Sequence, residues 1–452
     1  MPSATVITLG CKVNQYESSG LSRMLLEAGY ALVPFGRPAD VTVINSCTVT
    51  AKADREVRAL VRRAGRVSPG GRCVVTGCLA ETCPEALAAL PGVALVLGQA
   101  RKTDFLSLLE ETERGGPRVV VTPLSAARPV PDWGFPAFER TRAFFRIQDG
   151  CSAGCTYCIV PRARGPSRSL PTDRVLEGVR AYARAGKAEV VLSGIHLGAW
   201  GLDLTPPGRL PDLLQRLVEE SIGLRFRLSS IEPLEVSETL VRVMRASPGF
   251  CPHLHLPLQS GDDATLERMR RPYRAGFFEE RVLGLARDWP ELCLGADVMV
   301  GFPGEDEAAF ARSRDLIQRL PLAYLHVFPY SKRPRTLAAG LPDQVPGPEV
   351  QKRAAILREI GLGKRRAFFE SHLGLVRPTL VENTRDPESG LARGLTDNYI
   401  RVLIADPDPP MGRIVPVRLT GPGPKNHSFG RLAKSESNPL TWRSISSISL
   451  KL

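Results

Sequence analysis

The sequence predicts an α/β protein in three parts: an N-terminal open α/β domain, a central partial (β/α)6 barrel and a small C-terminal all-β domain. Three observations support this fold class. Short β-branched runs alternate with helix-like stretches near the start, six strand-like runs alternate with helices in the middle, and half-buried strand patterns with turn residues follow near the end. A chain of 452 residues has ample length for several domains.

The first part, residues 1–130, shows the pattern of βαβ units. Its β-branched runs predict buried parallel strands, and the helical stretches between them end on glycine. The runs are ATVITLG (4–10), VTVINS (41–46), RCVVTG (72–77) and VALVLG (93–98). The proline-rich stretch at 121–138 is typical of a linker.

The second part, residues 137–367, contains six strand-like runs separated by helical stretches. The runs are RAFFRI (142–147), EVVLS (189–193), RFRLSS (225–230), HLHLPL (253–258), GADVMV (295–300) and AYLHVF (323–328). Each run precedes a polar or glycine-rich loop, and barrel active sites form in the loops after the strands. We therefore expect one large site at one mouth of the barrel; ordinary surface loops are the alternative.

The third part, residues 368–435, predicts a small β-barrel from short alternating runs. A basic helix at 350–366 precedes it. The closing strand is hard to trace beyond Leu419, because SFGRLAKSESNPL is a weak pattern. We expect residues 436–452 to form a disordered tail.

Composition restricts the partners and the compartment. The net charge of +13 indicates a polyanionic partner such as nucleic acid. The sequence shows neither a signal peptide nor an apolar run of about 18 residues, so we expect no membrane span. Ten cysteines in such a chain are expected to be reduced, which predicts a cytoplasmic protein whose clustered thiols bind metal or act in catalysis.

The first thiol cluster lies in RIQDGCSAGCTYCIVPRARG (146–165), just after the first barrel run. We call Cys151, Cys155 and Cys158 the barrel cysteines. Three thiolates on one loop can bind three irons of a cubane cluster and leave the fourth iron open, whereas fully ligated clusters use four cysteines. A zinc site, which normally has four ligands when structural, and free thiols are the alternatives.

A second set, the N-terminal cysteines, consists of Cys11, Cys47 and Cys78, each at the end of a strand-like run. The carboxyl ends of parallel strands converge on one crevice, so these thiols can meet and hold a second cluster. Each alone would more often be a small buried hydrophobe. Of the other thiols, we expect Cys73, Cys251 and Cys293 to be structural, while Cys83 competes with Cys78 as a ligand.

Seven sequence blocks occur in an order that resembles one enzyme family. They are TLGCKVNQYES, NSCTVTAKADR, QDGCSAGCTYCIVPRARG, SSIEP, CPHLHLPLQSG, DVMVGFPGE and HVFPYSKRP. The spacing C-x3-C-x2-C is the signature of radical S-adenosylmethionine (SAM) enzymes, and both cysteine sets together resemble the radical SAM methylthiotransferase family along nearly the whole chain. The block GCKVNQ resembles the corresponding block of the family branch that acts on N6-threonylcarbamoyladenosine at position 37 of tRNA.

The resemblance implies a methylthiotransferase domain, a radical SAM barrel and a C-terminal TRAM domain that binds RNA. It implies two [4Fe–4S] clusters: the barrel cysteines hold the one that cleaves SAM to a 5′-deoxyadenosyl radical, and the N-terminal cysteines hold an auxiliary one that carries the sulfur. One SAM methylates that sulfur, and a second yields the radical that abstracts hydrogen from C2 of the adenine. The implied partners are a tRNA substrate, an electron donor and a sulfur source that the sequence does not identify. We expect a monomer.

Other residues in the barrel part have two interpretations each. Ser193, Gly194, Glu232 and Gln259 lie at strand ends, where they either contact SAM or cap loops and helices. Three arginines after the cluster loop either guide RNA phosphate or form a solvated face; they are Arg162, Arg164 and Arg168. Three histidines inside strand runs are expected to be core or barrel-lining residues rather than ligands; they are His253, His255 and His326.

Two further functions stay open at this point. A methylthiotransferase of the same family could modify an aspartate in a ribosomal protein, although the basic charge and the GCKVNQ block favour tRNA. A non-catalytic RNA-binding protein whose cysteines bind zinc is the alternative from another class. Iron content after anaerobic reconstitution separates the enzyme from the zinc protein.

Overall fold

A parallel six-stranded sheet forms the N-terminal domain in the computed structural model, which describes residues 1–113, 118–125, 130–131, 133–135, 140–220, 222–424 and 427–433. The strands are β1 (Ser3–Thr8), β2 (Ala31–Leu32), β3 (Val41–Ser46), β4 (Arg72–Gly77), β5 (Val93–Leu97) and β6 (Val119–Val120). The helices are α1 (Lys12–Glu27), α2 (Ala51–Val67), α3 (Cys78–Thr82), α4 (Pro84–Ala88) and α5 (Phe105–Glu113). The four predicted strands are confirmed, and β2 and β6 add the two edges.

The strand order of this sheet is β2-β1-β3-β4-β5-β6, and all pairs are parallel. The order reverses direction between β1 and β3. In open parallel sheets, ligands bind at the carboxyl ends of the strands beside such a reversal. Cys11 follows β1 and Cys47 follows β3, so two of the N-terminal cysteines flank this point.

Six longer parallel strands form the barrel, in two sheets of order β11-β10-β7 and β12-β13-β14. The strands of this part are β7 (Ala143–Arg146), β8 (Gln148–Asp149), β9 (Arg168–Ser169), β10 (Glu189–Ser193), β11 (Arg225–Leu228), β12 (His253–Gln259), β13 (Cys293–Val300) and β14 (Tyr324–Pro329). The two sheets meet where Phe226 bridges Phe250 and where Ile231 N–H donates to the His255 carbonyl at 3.0 Å. All six predicted runs are strands.

Helices cover the outside of the barrel, with one exception. The helices of this part are α6 (Val160–Arg164), α7 (Thr172–Arg184), α8 (Leu210–Glu219), α9 (Glu238–Ala246), α10 (Asp263–Arg268), α11 (Ala275–Asp288), α12 (Glu307–Arg319) and α13 (Gly347–Glu370). The exception is α6, which belongs to the cysteine loop at the barrel mouth and packs on α3. Alternate strand residues such as Leu254, Leu256 and Ala296 are buried against these helices in one hydrophobic core. The intervening residues therefore face the barrel interior. None of the helices in the described ranges is long and apolar enough to cross a lipid bilayer.

A closed β-barrel follows α13 and is consistent with a TRAM domain. Its strands are β15 (Val376–Arg385), β16 (Ala392–Thr396), β17 (Arg401–Ile404), β18 (Ile414–Pro422) and β19 (Ser428–Leu432). The sequence pattern beyond Leu419 is weak, but the barrel closes there, because β19 pairs with both β17 and β18. The predicted tail at 436–452 lies outside the described residues.

Two buried arginines on β11 attach this C-terminal barrel to the end of the central barrel that lies away from the cysteine loop. Arg225 donates to the carbonyls of Pro378 and Leu395 at 2.9 and 3.1 Å. Arg227 donates to those of Asp397 and Thr396 at 2.9 and 3.0 Å. Glu189 on β10 pairs with both guanidinium groups, and it is fully buried.

The proline-rich stretch predicted to be a linker packs against the N-terminal domain in its described residues. Trp133 is 2% exposed, and its ring lies where a Cβ atom on Gly20 would stand only 2.5 Å away. Tyr16 donates to the Gly134 carbonyl at 3.1 Å, and Arg23 donates to that of Trp133 at 2.6 Å. Arg146 of β7 donates to the Pro131 carbonyl at 2.6 Å, so this stretch helps to hold α1 against the central barrel.

Candidate active site

The barrel cysteines lie on the loop between β7 and α6, at the carboxyl end of the barrel strands. The strands β8 and β9, of two residues each, pair antiparallel and close the base of this loop. Gly150 begins it with a φ of +72°, and a Cβ atom there would come within 2.0 Å of the Pro166 carbonyl oxygen. Cys151 N–H then donates to the Gly165 carbonyl at 3.0 Å. The loop can close in this way only with glycine at position 150.

Contacts with the far side of the barrel mouth fix the rest of the loop. The Thr156 N–H donates to the Met269 carbonyl, and the Thr156 hydroxyl donates to the Arg268 carbonyl. Ala338 N–H donates to the Thr156 carbonyl at 2.9 Å. The ring of Tyr157 packs edge-to-face on Phe302. The thiols are thus held on a loop that is anchored at both ends and in its middle.

Two basic side chains, whose roles were not predicted from the sequence, contact the barrel cysteines. Arg271 donates to Cys155 Sγ at 3.2 Å and also pairs with Glu232. His196 Nδ1 lies 3.7 Å from Cys151 Sγ, and its Nε2 lies 2.6 Å from a Glu235 oxygen. His196 is in the GIHLG loop after β10, so its place in a loop after a strand was the available signal.

The donor set of this loop fits an iron–sulfur cluster. All three barrel cysteines are free thiols, and cationic groups lie beside two of them, which favours thiolate. Burial raises the pKa of Cys158 to about 12 in the metal-free chain, so metal binding there must displace a proton. Burial lowers the pKa of His196, but hydrogen bonds to Cys151 and Glu235 outweigh it and raise the pKa to about 10.

The N-terminal cysteines lie at the carboxyl ends of β1, β3 and β4, and hydrogen bonds connect these three strand ends. Asn14 donates to the carbonyls of Leu9 and Ser46 at 2.7 and 3.0 Å, which joins the loops of Cys11 and Cys47. The Ser46 hydroxyl donates to the Thr76 carbonyl and accepts from Leu79 N–H at 3.1 Å, which joins those of Cys47 and Cys78. The three strand ends therefore bring these thiols to one crevice, as the sequence predicts.

Close backbone packing shapes this second site. Gly10, with a φ of +105°, lies against Cys47, because an added Cβ atom would stand 3.2 Å from Cys47 Sγ. Burial raises the pKa of Cys47, and the nearby Cys11 adds to the effect. Burial also raises the pKa of Cys78 to about 12, while Arg164 acts in the opposite direction. Three free thiols beside a cation again match a thiolate ligand set.

A buried ion network lies between the two cysteine sets. We call it the interface network, and its members are Glu17, Lys102, Arg146, Asp149 and Arg164. Glu17 on α1 pairs with Lys102 at 2.5 Å, with Arg146 at 3.3 Å and with Arg164 at 3.0 Å. Asp149 pairs with Arg146 at 3.2 Å and with Arg164 at 2.8 Å. Each of these side chains is at most 4% exposed.

The interface network connects the two sites directly. Asp149 is two residues before Cys151, and Arg164 also donates to Asn14, which is three residues after Cys11. Burial raises the pKa of Glu17, but Arg164, Lys102 and Arg146 outweigh it, and the pKa falls well below 4.5. Glu17 is therefore an anion that holds cations from both domains. The network fixes the placement of one cysteine set relative to the other.

The three arginines after the cluster loop differ in their surroundings. Arg164 belongs to the interface network, and Arg168 is 4% exposed and lies 3.9 Å from Asp149. The prediction that these two guide RNA phosphate or form a solvated face is therefore wrong. Arg162 is exposed, and for this residue both interpretations stay predictions.

A second buried contact fixes the N-terminal domain over the barrel mouth. Arg333, in the loop after β14, donates to the Thr48 hydroxyl at 2.9 Å and pairs with Asp54. Ala51 N–H donates to the Ser331 hydroxyl at 2.9 Å. Because Thr48 follows Cys47 directly, the N-terminal cysteines face the mouth that carries the barrel cysteines.

The four predicted SAM contacts lie at the ends of β10, β11 and β12. Ser193 is buried and donates to the Val191 carbonyl at 3.2 Å, and Gly194 lies where a Cβ atom would meet Gln148 Oε1 at 2.8 Å. Glu232 pairs with Arg271, the residue that contacts Cys155. Gln259 is partly exposed with a φ of +63°. Their contact with SAM stays a prediction.

Three of the four remaining thiols are buried, as expected of structural cysteines, and the competition of Cys83 with Cys78 stays a prediction. Cys73, Cys251 and Cys293 are buried, at most 3% exposed. Burial raises the pKa of each to about 12. Cys83 is half-buried among apolar side chains of the N-terminal domain. The histidines His253, His255 and His326 lie on β12 and β14, on the side of these strands that faces the barrel interior.

Comparison with known families and folds agrees with this arrangement. Residues 3–98 match the uncharacterized protein family UPF0004, and residues 145–317 match the radical SAM superfamily. Among solved structures, the radical SAM methyltransferase TsrM from Kitasatospora setae is similar, with a TM-score of 0.54 and 15% identity over 75% of this chain and 74% of that chain. This likeness shows a shared fold.

Curated relatives cover nearly the whole chain. Threonylcarbamoyladenosine tRNA methylthiotransferase MtaB of Bacillus subtilis is 37% identical over 96% of this chain and 98% of its own length. MtaB of Aquifex aeolicus is 37% identical over 87% of this chain and 95% of its own. A tRNA-2-methylthio-N(6)-dimethylallyladenosine synthase of Syntrophobacter fumaroxidans is 35% identical over 92% of each chain. The chain therefore belongs to the radical SAM tRNA methylthiotransferase family.

Proposed function

We propose that this enzyme adds a methylthio group to C2 of N6-threonylcarbamoyladenosine at position 37 of tRNA, with SAM and two [4Fe–4S] clusters. Family membership implies SAM and one such cluster. The observation that carries the two-cluster proposal is the placement of two sets of three free thiols at one barrel mouth, joined by the interface network. The relatives from Bacillus and Aquifex are named threonylcarbamoyladenosine tRNA methylthiotransferases, which supports the proposed substrate.

The barrel cysteines would hold the first cluster and the N-terminal cysteines the second. When bound, the clusters supply a low-potential electron for cleavage of SAM at the first site and a sulfur atom at the second. Arg271 and His196 place positive charge beside Cys155 and Cys151 and favour their thiolate forms. Because each site has three cysteines, SAM or sulfur would take the place that a fourth cysteine has in a fully ligated cluster.

The chain's own residues would hold the substrates and exclude water. Ser193, Gly194, Glu232 and Gln259 at the strand ends would line the SAM site, with Glu232 held in place by Arg271. The N-terminal domain covers the barrel mouth through Arg333, which keeps a reactive site away from bulk water. An aromatic C–H bond is beyond the reach of acid–base side chains, so orientation and exclusion of water are the contributions expected of the protein.

We assign the three parts as a methylthiotransferase domain (1–130), a radical SAM barrel (137–367) and an RNA-binding TRAM-like barrel (368–435). A cavity among α13, the C-terminal barrel and the strands β13 and β14 supports a role in RNA binding. Arg365, Phe368, Phe369 and Arg401 line it. Arginine beside aromatic rings is a common surface for single-stranded RNA. The net charge of +13 would add general attraction to the phosphate backbone.

Nucleosides of tRNA from cells with and without the gene test the substrate. We expect 2-methylthio-N6-threonylcarbamoyladenosine to disappear when the gene is deleted and to return when it is restored. The relative from Syntrophobacter is named as a synthase of 2-methylthio-N(6)-dimethylallyladenosine. This nucleoside is therefore the competing product, and the two methylthio nucleosides are measured together. Loss of the methylthio-dimethylallyl nucleoside alone would contradict the proposed substrate. An unchanged tRNA pool with loss of a modified ribosomal aspartate would contradict tRNA as the partner.

A further inference from the structure

One side of α2 carries a stripe of exposed basic side chains. We call it the α2 basic face; its members, all exposed, are Lys52, Arg55, Arg62, Arg63 and Arg66. Residues three, four or seven positions apart lie on the same side of a helix, so these side chains are neighbours. At a rise of about 1.5 Å per residue, the stripe from Lys52 to Arg66 is about 21 Å long.

The opposite side of α2 packs on the sheet of the N-terminal domain. Val57, Val61 and Ala64 on that side are at most 4% exposed. Of the two acidic residues of the helix, Asp54 is buried against Arg333, and Glu56 alone is exposed. The exposed side of α2 therefore has a strong excess of positive charge.

The members of the α2 basic face lack anionic partners. Among the described residues, no ion pair or hydrogen bond involves any of the five side chains, and the Arg63 guanidinium lies 4.8 Å from the centre of the Phe35 ring. Like charges four positions apart, such as Arg62 and Arg66, destabilise a helix. Lys52 lies in the first turn, where the helix dipole is already positive. The arrangement is unfavourable for the free helix, and a bound polyanion would offset the repulsion.

Several exposed arginines of the barrel helices are arranged differently. Arg180 on α7 pairs with Glu220 at 2.6 Å, and Arg287 on α11 pairs with the adjacent Asp288 at 2.8 Å. Arg319 on α12 pairs with a glutamate of α11 at 2.6 Å. A neighbouring carboxylate compensates each of these charges. Uncompensated positive charge is therefore a property of the α2 basic face and not of these arginines.

The α2 basic face begins at the barrel mouth. Thr50 caps the helix by accepting from Ala53 N–H at 3.1 Å, and Asp54 accepts from the Thr48 hydroxyl at 2.8 Å. Asp54 also pairs with Arg333, in the loop after β14. The first turn of α2 is thus fixed both to the loop of Cys47 and to the barrel. From this mouth the stripe follows the outside of the N-terminal domain.

We infer that the α2 basic face binds the phosphate backbone of the tRNA strand that flanks the target adenosine. A line of unpaired cations is complementary to a polyanion, and phosphate contacts fix the register of a protein on a nucleic acid. The C-terminal barrel docks at the end of the central barrel away from the cysteine loop, so RNA held there alone would leave the target base unpositioned. Contacts on α2 would hold the RNA at the mouth itself. The inference rests on the proposed function.

A small acidic electron-transfer protein is the competing occupant, because the enzyme needs an electron donor. Interfaces between proteins have a buried centre that is depleted of charged residues and enriched in large apolar ones. None of the large apolar residues of α2 is exposed, and the exposed residue between Arg55 and Arg62 on the stripe is Ala59. The linear arrangement of charge without an apolar centre favours the RNA backbone.

The triple variant Arg55→Gln/Arg62→Gln/Arg66→Gln tests the inference in the reconstituted full-length enzyme. Glutamine is a good helix former, so the change removes charge and leaves the helix intact. The Kd for tRNA that carries N6-threonylcarbamoyladenosine is measured from about 0.1 to about 1 M KCl. We expect the slope of log Kd against log salt to fall by about 2–3, because each lost phosphate contact removes about 0.7–0.9. The Kd should rise about a hundredfold at the lowest salt and approach that of wild type at the highest.

The matched control is Arg180→Gln/Arg287→Gln/Arg319→Gln, which removes the same net charge from arginines that are already paired. We expect this control to keep the wild-type slope. Equal losses of slope in the two triple variants overturn the inference in favour of a general charge effect. An unchanged slope in the α2 variant also overturns it. If that variant is then reduced more slowly by an acidic flavodoxin, the face belongs to an electron-transfer protein.

Two further measurements keep these outcomes distinct. Iron content equal to that of wild type shows that the α2 variant is folded. If iron is lost, Arg62→Gln alone decides, with an expected loss of about 0.7–0.9 in the slope; an unchanged slope there overturns the inference. Wild-type enzyme that binds no tRNA at any salt concentration contradicts the proposed function, whereas tRNA binding with full salt dependence in the α2 variant contradicts only this inference.

Discussion

Replacing Glu17 by glutamine should loosen the contact between the N-terminal domain and the barrel. Glu17 is the anion that holds Lys102 of its own domain and two arginines of the barrel part, Arg146 and Arg164. Glutamine keeps the shape and one acceptor oxygen but removes the charge. Arg146 and Arg164 then keep Asp149 as their carboxylate partner, whereas Lys102 loses its carboxylate partner, so the interface network gains uncompensated buried charge.

The expected magnitude follows from the burial of this carboxylate. Removing one partner of a buried ion pair costs about 3–5 kcal/mol, and the retained acceptor oxygen places Glu17→Gln at the lower end, about 3 kcal/mol. That corresponds to an increase of about a hundredfold in the equilibrium constant for opening the interface. Glu27→Gln on the same helix is the control, because Glu27 is exposed and pairs with the half-buried Arg23 at 3.5 Å. Such a surface pair contributes less than about 0.5 kcal/mol.

Hydrogen–deuterium exchange of the α1 backbone amides, Lys12–Glu27, measures this opening in the intact chain. We expect exchange about a hundredfold faster in Glu17→Gln than in wild type, and unchanged exchange in Glu27→Gln. If the two variants agree within about threefold, the interface network does not hold the domains together and the reasoning is wrong.

Two further predictions concern the loop and the C-terminal barrel. Gly150→Ala should halve the iron bound after reconstitution, from about eight to about four atoms per chain, because the new Cβ atom meets the Pro166 carbonyl and displaces the loop of the barrel cysteines. Gly154→Ala is the control: it has open space around it and should bind as much iron as wild type. Burial raises the pKa of Glu189, but Arg225 and Arg227 outweigh it and lower the pKa from 4.5 to about 2. Its contribution to the stability of the central barrel, on which the C-terminal barrel docks, is about 3 kcal/mol; it is complete above pH 4.5 and is lost as the pH falls toward 2. The free energy of unfolding, measured by urea unfolding, should therefore fall across this window more in wild type than in Glu189→Gln.

The elements and thiols that the sequence predicts are those with a local signal. Each barrel strand is a short run with alternate apolar residues between helical stretches, and EVVLS matches β10 residue for residue. The convergence of Cys11, Cys47 and Cys78 followed from one rule about parallel strands and needed no knowledge of side-chain contacts.

The missed features depend on partners far away in the chain. Arg164 looks like a solvated residue because the sequence around it is basic, and its partner Glu17 is 147 residues away. The strand β19 is only five residues long and contains Gly430, so its pattern is weak. It is fixed by pairing with β17 and β18 rather than by its own propensity. The role of Arg271 likewise appears only when the loop of Cys155 is folded against it.

The most direct test of the two-site account compares Cys151→Ala with Cys47→Ala in anaerobic turnover on tRNA. We expect Cys151→Ala to form no 5′-deoxyadenosine and no methylthiolated nucleoside. Cys47→Ala should still form 5′-deoxyadenosine but no methylthiolated nucleoside, and Cys73→Ala, a buried thiol outside both sets, should form both. Normal methylthiolation by Cys47→Ala would contradict the division of labour between the two cysteine sets.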